Sequence, residues 1–326
     1  MELWLIGGAA VLLTTASAPI TRRALVRFDI VDRPNARSSH VNPTPRGGGI
    51  ACALGVASAI AVAAALGEPV PWPVVGAALA MAVVGFLDDR LTVGAAPRLA
   101  AQVATGAMAG LSLGGWTGAA VGAAAMPVVV NVVNFMDGIN GITALTMLVW
   151  GATALLVGAV HGGPELAVIG AATAGAALGF LPWNAPHARL FLGDVGSYLF
   201  GALAAGGVLL AATGQAPVSL ILAPLMIFGA DTAVTLVKRA IRRAPLTVAH
   251  REHTYQRLVH LRRWAHAPVA LWAGSASALI TVAWATLNTI GSCIATTCTL
   301  LIYLMSDRIL HNRKRNSHGR ELADAA

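Results

Sequence analysis

The stretch Phe191-Leu192-Gly193-Asp194-Val195-Gly196-Ser197 runs without interruption into Tyr198–Thr213, YLFGALAAGGVLLAAT. A carboxylate between two glycines thus opens an uncharged run of small and apolar residues. A membrane-crossing helix needs about 20 predominantly apolar residues. Read this way, 197–213 is one span and Asp194 sits at its polar entrance. A carboxylate at that depth is costly and marks function more often than packing. A lone acid at a helix start also serves as an N-terminal cap, so the stretch alone leaves both roles open.

Working outward, similar runs recur near 2–18, 48–66, 73–87, 99–114, 118–134, 139–160, 166–181, 217–237, 268–287 and 290–306. Together they predict an all-α integral membrane protein with about eleven transmembrane helices. The number falls to ten if 118–134 is a half-span ending in a polar loop. The 35 glycines favour a closely packed bundle, because small residues let helix backbones approach in lipid. Only 11% of residues are charged against 56% hydrophobic, whereas a soluble domain is about a quarter charged. This overrides the two soluble domains that the length alone would allow. The expected organisation is one polytopic domain over 1–306 and a basic tail over 307–326, lying on anionic lipid or disordered.

The charges supply the topology. All 22 Lys and Arg residues fall in 19–47, 88–98, 182–196, 238–267 and the tail, on one side of an eleven-span chain. The opposite loops, 67–72, 115–117, 161–165, 214–216 and 288–289, have none. The positive-inside rule makes the basic side cytoplasmic, with the N-terminus outside. The net charge of +8 is then a topological signal and not a nucleic-acid footprint. The first apolar run has no basic residue ahead of it and reads as a span, not a signal peptide. Cys52, Cys293 and Cys298 lie inside apolar runs, which argues against a disulfide framework.

Of 14 acidic residues, only Glu2, Glu68 and Glu165 belong to the outer side. The adjacent pair Asp88-Asp89 closes a span, and two such carboxylates repel unless a cation or metal sits nearby. Asn131 and Asn134 are three apart on one helix face. They lead into Asp137-Gly138-Ile139-Asn140-Gly141, a combination of amide, carboxylate and glycine suited to a ribose or base and a pyrophosphate. Trp183-Asn184 precedes Phe191, which can stack on a base, and Asp194, which can hold Mg²⁺ together with substrate phosphates. The basic loop carries His250-Arg251-Glu252-His253, whose cationic and imidazole groups can bind diphosphate oxygens. In the first loop Arg46 precedes Gly47-Gly48-Gly49, where backbone N–H groups can meet an anion at a helix start. Asp231, inside the ninth span, is either a carboxylate in a catalytic groove or a buried packing partner.

Four blocks then occur in order: Asp32-Arg33-Pro34 with Arg37, His40 and Thr44-Pro45-Arg46-Gly47-Gly48; Asp88-Asp89; Asn131-x-x-Asn134-x-x-Asp137-Gly138; and Phe191-x-Gly193-Asp194-x-Gly196-Ser197. Over roughly 20–260 the chain resembles the polyprenyl-phosphate N-acetylhexosamine-1-phosphate transferases, the superfamily of the WecA and MraY enzymes. The resemblance implies a bacterial inner-membrane enzyme of ten or eleven spans, in a family whose members are commonly homodimers. With Mg²⁺, or Mn²⁺ as an alternative, it would transfer sugar 1-phosphate from a UDP-N-acetylhexosamine to undecaprenyl phosphate and release UMP on the cytoplasmic face. That reaction initiates O-antigen or other envelope polysaccharides. The resemblance further implies that Asp88 and Asp89 lie near the lipid phosphate, with Asp88 as base, and that Asp194 binds the metal. It puts Asn134 and Asp137 on the nucleotide side, Asn184 and Phe191 beside the uridine, and His250 and His253 at the diphosphate.

Two departures qualify the match. Asn140 stands where the family often has a second aspartate that meets the uracil. The loop His-Arg-Glu-His-Thr-Tyr-Gln is neither the His-Ile-His-His form of the N-acetylglucosamine enzymes nor the triple histidine of the muramoyl-pentapeptide enzymes. It looks more like the O-antigen-initiating branch. The expected chemistry is direct phosphoryl transfer, with a covalent aspartyl route as the alternative. Rival readings are the muramoyl-pentapeptide transferase and, in another class, a transporter. A transporter needs access from both sides, which the uncharged outer loops do not favour.

Overall fold

The computed structural model describes residues 2–34, 42–91, 93–245, 250–262 and 264–324, with side chains through Arg308 except at 261–262. Arg37 and His40 lie outside these residues. Each predicted apolar run is largely helical, with a turn at 139–141 and two helices separated by a 3₁₀ turn within 217–237. In chain order these are α1 (Leu3–Arg27), a ribbon of β1 (Val31–Asp32) and β2 (Thr44–Pro45), α2 (Gly49–Ala65), α3 (Trp72–Leu91), α4 (Ala95–Met136), α5 (Ile142–Val160), α6 (Pro164–Asn184) and α7 (Gly193–Thr213). There follow α8 (Val218–Leu222), a 3₁₀ turn over Ala223–Leu225, α9 (Met226–Ile241), α10 (Thr254–Arg262), α11 (His266–Thr286) and α12 (Thr289–Asp324). Eight helical units among the described residues are long and apolar enough to cross a membrane, counting α4 once and α8–α9 as one.

The weakest predicted span resolves as the second arm of α4. Gly114 and Gly115 leave helical geometry, and Gly115 takes φ +59°, which turns the chain back on itself. The arms meet through Gly106, Gly110, Gly118 and Gly122. A Cβ on any of the four would stand 2.0–2.3 Å from a carbonyl oxygen of the other arm. This is the small-xxx-small logic of membrane helix packing. Asn131 joins the same contact: its amide donates to Gln102 Oε1 at 2.8 Å and to the carbonyl of Pro127 at 2.7 Å.

Helix α7 is the centre of the bundle. Every residue from Val195 to Ala211 is buried, against α3 and α4 above all. Large apolar side chains instead lie exposed around the periphery, including Leu12, Trp116, Leu156, Leu178 and Leu279. Such a continuous apolar exterior calls for lipid, not water. Because successive helices alternate in direction, the N-termini of α2, α5, α7 and α11 gather at one end with the C-termini of α3, α4, α6 and α9. That is the end bearing the basic loops.

Candidate active site

The site forms where α2, α3 and α7 cross at close range. A Cβ on Gly49 would lie 2.2 Å from backbone atoms of Gly196, so α2 and α7 touch backbone to backbone at their starts. Gly193 has φ +73°, and a Cβ there would lie 2.6 Å from Asp89 Oδ2. Glycine therefore lets α3 deliver its carboxylates onto the first turn of α7. The Asp89 carboxylate accepts the Val195 N–H at 3.2 Å, capping that helix start from outside.

Arg46 spans the gap between the two acids. Its Nε lies 2.7 Å from Asp89 Oδ1 and its Nη2 2.6 Å from Asp194 Oδ1. Burial disfavours the cation, but Asp194 and Asp89 outweigh it and hold the guanidinium above its ordinary value. Arg46 is aimed by its backbone, which pairs in parallel with Phe191 at the end of the β1–β2 ribbon. The N–H groups of Gly47 and Gly48 donate to the Phe191 carbonyl and that of Gly49 to Leu192. This corrects the expected anion site at the start of α2: protein carbonyls take those donors, and Arg46 alone points into the cluster.

Asp88 turns to a different set. Arg98 Nη1 lies 2.5 Å from its Oδ2, the Tyr198 hydroxyl is at 3.3 Å, and the Val93 N–H donates to Oδ1 at 2.8 Å. Arg98 and Tyr198 escaped the sequence reading, since Asp88, Arg98 and Tyr198 come from three helices with no regular spacing. Asn134 donates to Asp194 Oδ1 and contacts Ser197 Oγ, both at 3.0 Å. Thus Arg46, Asp88, Asp89, Asn134 and Asp194 converge, and Asn131 does not join them.

Asp137 follows the last residue of α4. Burial pushes its carboxyl up to about 7, with Asp194 adding to the rise and Thr143 opposing it. Beyond it Asn184 works as a clamp. Its Oδ1 accepts the Gly141 N–H at 2.6 Å and its amide donates to the Leu190 carbonyl at 3.1 Å. Gly141, at φ +83°, makes the turn. Asn140 donates its side-chain amide to Pro186 at 3.2 Å and its N–H to His266 Nδ1 at 3.3 Å. Asn140, Asn184 and Phe191 therefore frame one loop wall beside the acid cluster.

The histidine segment is anchored from below by Asp231, which is a buried partner and not a groove residue. Both its oxygens accept the Thr254 N–H, at 2.9 and 3.0 Å, at the start of α10. The Tyr303 hydroxyl donates at 3.2 Å, and His253 Nδ1 stands at 3.5 Å. Tyr255 adds a second tie by donating to the Phe135 carbonyl at 2.9 Å, beside Asp137. Glu252 is held between Arg239 and Arg242, while Arg251 lines a separate cavity. His250 stacks on His253 with ring centroids 5.0 Å apart. Burial, then His253 and Arg239, lower His250 to about 4, so it is neutral at pH 7. Its Nδ1 accepts the Glu252 N–H at 3.4 Å, which leaves Nε2–H as donor.

Could a divalent cation fit? Among the described residues no three acidic, His or Cys side chains form a metal cage. Yet three carboxylates, Asp88, Asp89 and Asp194, face only two guanidinium groups, Arg46 and Arg98. Asp89 Oδ1 is buried with no hydrogen bond of good geometry, although Arg46 is near. All-oxygen donors with surplus negative charge suit Mg²⁺, which keeps one or two carboxylates and completes its shell with phosphate oxygens.

Known proteins resemble this chain in sequence. The family model "Glycosyl transferase family 4" matches residues 71–212, which hold Asp88, Asp89, Asn134, Asp137 and Asp194. A decaprenyl-phosphate N-acetylglucosaminephosphotransferase of Mycolicibacterium smegmatis is 33% identical over 327 aligned residues, 84% of this chain and 80% of the relative. A probable undecaprenyl-phosphate N-acetylglucosaminyl 1-phosphate transferase of Bacillus subtilis is 26% identical over 261, covering 74% and 73%. A phospho-N-acetylmuramoyl-pentapeptide-transferase of Clostridioides difficile is 43% identical over only 74 residues, 22% of this chain. The motifs, the bundle and this similarity over 84% of the chain agree: the chain belongs to glycosyl transferase family 4, among the polyprenyl-phosphate N-acetylhexosamine-1-phosphate transferases.

Proposed function

We propose that this protein transfers N-acetylglucosamine 1-phosphate from UDP-N-acetylglucosamine to a polyprenyl phosphate, releasing UMP, at the cytoplasmic face of a bacterial inner membrane. The observation that carries the reading is the buried cluster of Asp89 and Asp194 on Arg46 with Asp88 on Arg98, in a chain similar over 84% of its length to an enzyme named for that reaction. The histidine loop points less firmly at one sugar. It departs from the His-Ile-His-His form, whereas the Mycolicibacterium smegmatis and Bacillus subtilis relatives, matched over 84% and 74% of the chain, are named for N-acetylglucosamine. The names of these relatives support N-acetylglucosamine as the sugar.

In this reading Asp194 would hold Mg²⁺, with Asp89 as the neighbouring carboxylate on Arg46. The metal, when bound, neutralises charge on the diphosphate and polarises the phosphorus under attack. Arg46 releases its hold on the acids to bind diphosphate oxygens. His250 donates through Nε2 to the same group, with His253 beside it, while Arg251, expected at the diphosphate from sequence, lies instead in the separate basic cavity. Asn134 and Asp137 orient the nucleotide side, and Asn140, Asn184 and Phe191 form the uridine wall. Asp88, set by Arg98 and Tyr198, takes any proton remaining on the lipid phosphate. A lipid phosphate oxygen forms a bond to the sugar-bearing phosphorus as the bond to the UMP oxygen breaks.

The test is a panel of UDP-N-acetylhexosamines offered with polyprenyl phosphate and Mg²⁺, with UMP as readout. UDP-N-acetylglucosamine is expected to give the fastest release. Faster release with another sugar would reassign the donor, and release with none would remove the enzyme reading.

A further inference from the structure

We propose that a basic cavity between α9, α10 and α12 binds the phosphate headgroup of an anionic membrane phospholipid. The cavity measures about 720 Å³ and is lined by Lys238, Arg242, Arg251, Arg257 and Arg308. Against these five basic side chains the lining offers one carboxylate, Glu252, itself gripped by Arg239 and Arg242. Asp307 lies nearby and pairs with Arg257 at 3.2 Å. Cations held together in partial burial repel one another, so an anion settling among them relieves that cost. None of Arg46, Asp88, Asp89 and Asp194 lines this cavity, so it is separate from the acid cluster.

The walls show why the anion is a lipid. On α9, Val237 and Ile241 are 57% and 77% exposed and share a face four residues apart. Lys238 and Arg242 form the adjacent stripe, one position on. On α12, Leu301 and Met305 are likewise exposed, and Arg308 follows one turn later. Both helices therefore present bare apolar flanks that end in cations at the basic end of the bundle. A phosphate carrying acyl chains satisfies both features at once, while a soluble phosphate leaves the flanks uncovered. Basic pockets between membrane helices on the cytoplasmic side suit such headgroups.

The experiment is native mass spectrometry of the full chain equilibrated with mixed phosphatidylglycerol and phosphatidylcholine. The wild type is expected to retain phosphatidylglycerol selectively, with selectivity falling as salt rises. The double variant K238A/R308A is expected to lose on the order of ten-fold in that selectivity. K238R/R308K, which keeps both charges, should retain it. Millimolar inorganic phosphate is expected to leave the lipid in place; displacement at that concentration would mean a soluble-anion site. The proposal also fails if the wild type shows no preference between the lipids, a result that needs no variant to fold. It fails equally if K238A/R308A folds and retains phosphatidylglycerol as the wild type does.

Discussion

Asp194 Oδ1 is the atom on which the site turns, because Arg46 and Asn134 both donate to it at the mouth of α7. Replacing Asp194 with Asn keeps the shape and removes the charge. We expect UMP release to fall about 100-fold or more, as for loss of a preorganised electrostatic contact, with thermal unfolding in detergent little changed. Comparable Mg²⁺-dependent turnover in D194N would refute the metal assignment. His250 gives the pH prediction. Its folded value, about 4, lies below the unfolded value near 6.5. The unfolded chain therefore binds the proton more readily. This group's stabilising share is complete above about 6.5 and is lost as pH falls through about 4. The apparent Tm is expected to drop across that window in the wild type and less steeply in His250→Gln. An identical slope in the variant would show that His250 is not the titrating group.

At the scale of elements, two short ties hold the pieces of the proposed site in register. Asp231→Ala removes the cap on Thr254 and the Tyr303 contact, a local cost of about 3 kcal/mol for a buried charged acceptor. Hydrogen exchange should accelerate over 250–260 while α7 stays protected, and turnover should fall with it. Uniform loosening of the whole bundle would mean that Asp231 supports the core and not the histidine segment. Gly193→Ala forces a side chain into φ +73° and onto Asp89, at about 2 kcal/mol or more; a Tm equal to wild type would contradict the crossing described. The helices themselves were readable from apolar runs, and the acids from their place at helix ends. Arg98 with Asp88, and Asn131 with Gln102, were not readable. The first pair joins α4 to α3 and the second joins two arms of α4 folded by Gly114-Gly115, so no sequence spacing relates the partners. Asp231 was visible as an anomaly, but its partners Thr254 and Tyr303 lie 23 and 72 residues away.

For the whole molecule, the described parts of the basic loops and the helix ends carrying Asp88, Asp89 and Asp194 lie at one end of the bundle. Single cysteines at Arg243 and Gly162, in a background lacking Cys52, Cys293 and Cys298, should label from opposite sides of an oriented vesicle. Labelling of both from one side would overturn the proposed topology. In the proposed reaction the one-sided distribution gains its meaning, since a cytoplasmic nucleotide sugar and a lipid phosphate would have to meet at the same depth. The most direct measurement therefore follows the phosphorus. Purified protein is given polyprenyl phosphate, Mg²⁺ and UDP-N-acetylglucosamine labelled in the β-phosphate. The account predicts that the label moves to the lipid, as a pyrophosphate-linked sugar, with UMP released in equal amount. Label remaining with the nucleotide as UDP, with the sugar alone transferred, would contradict it.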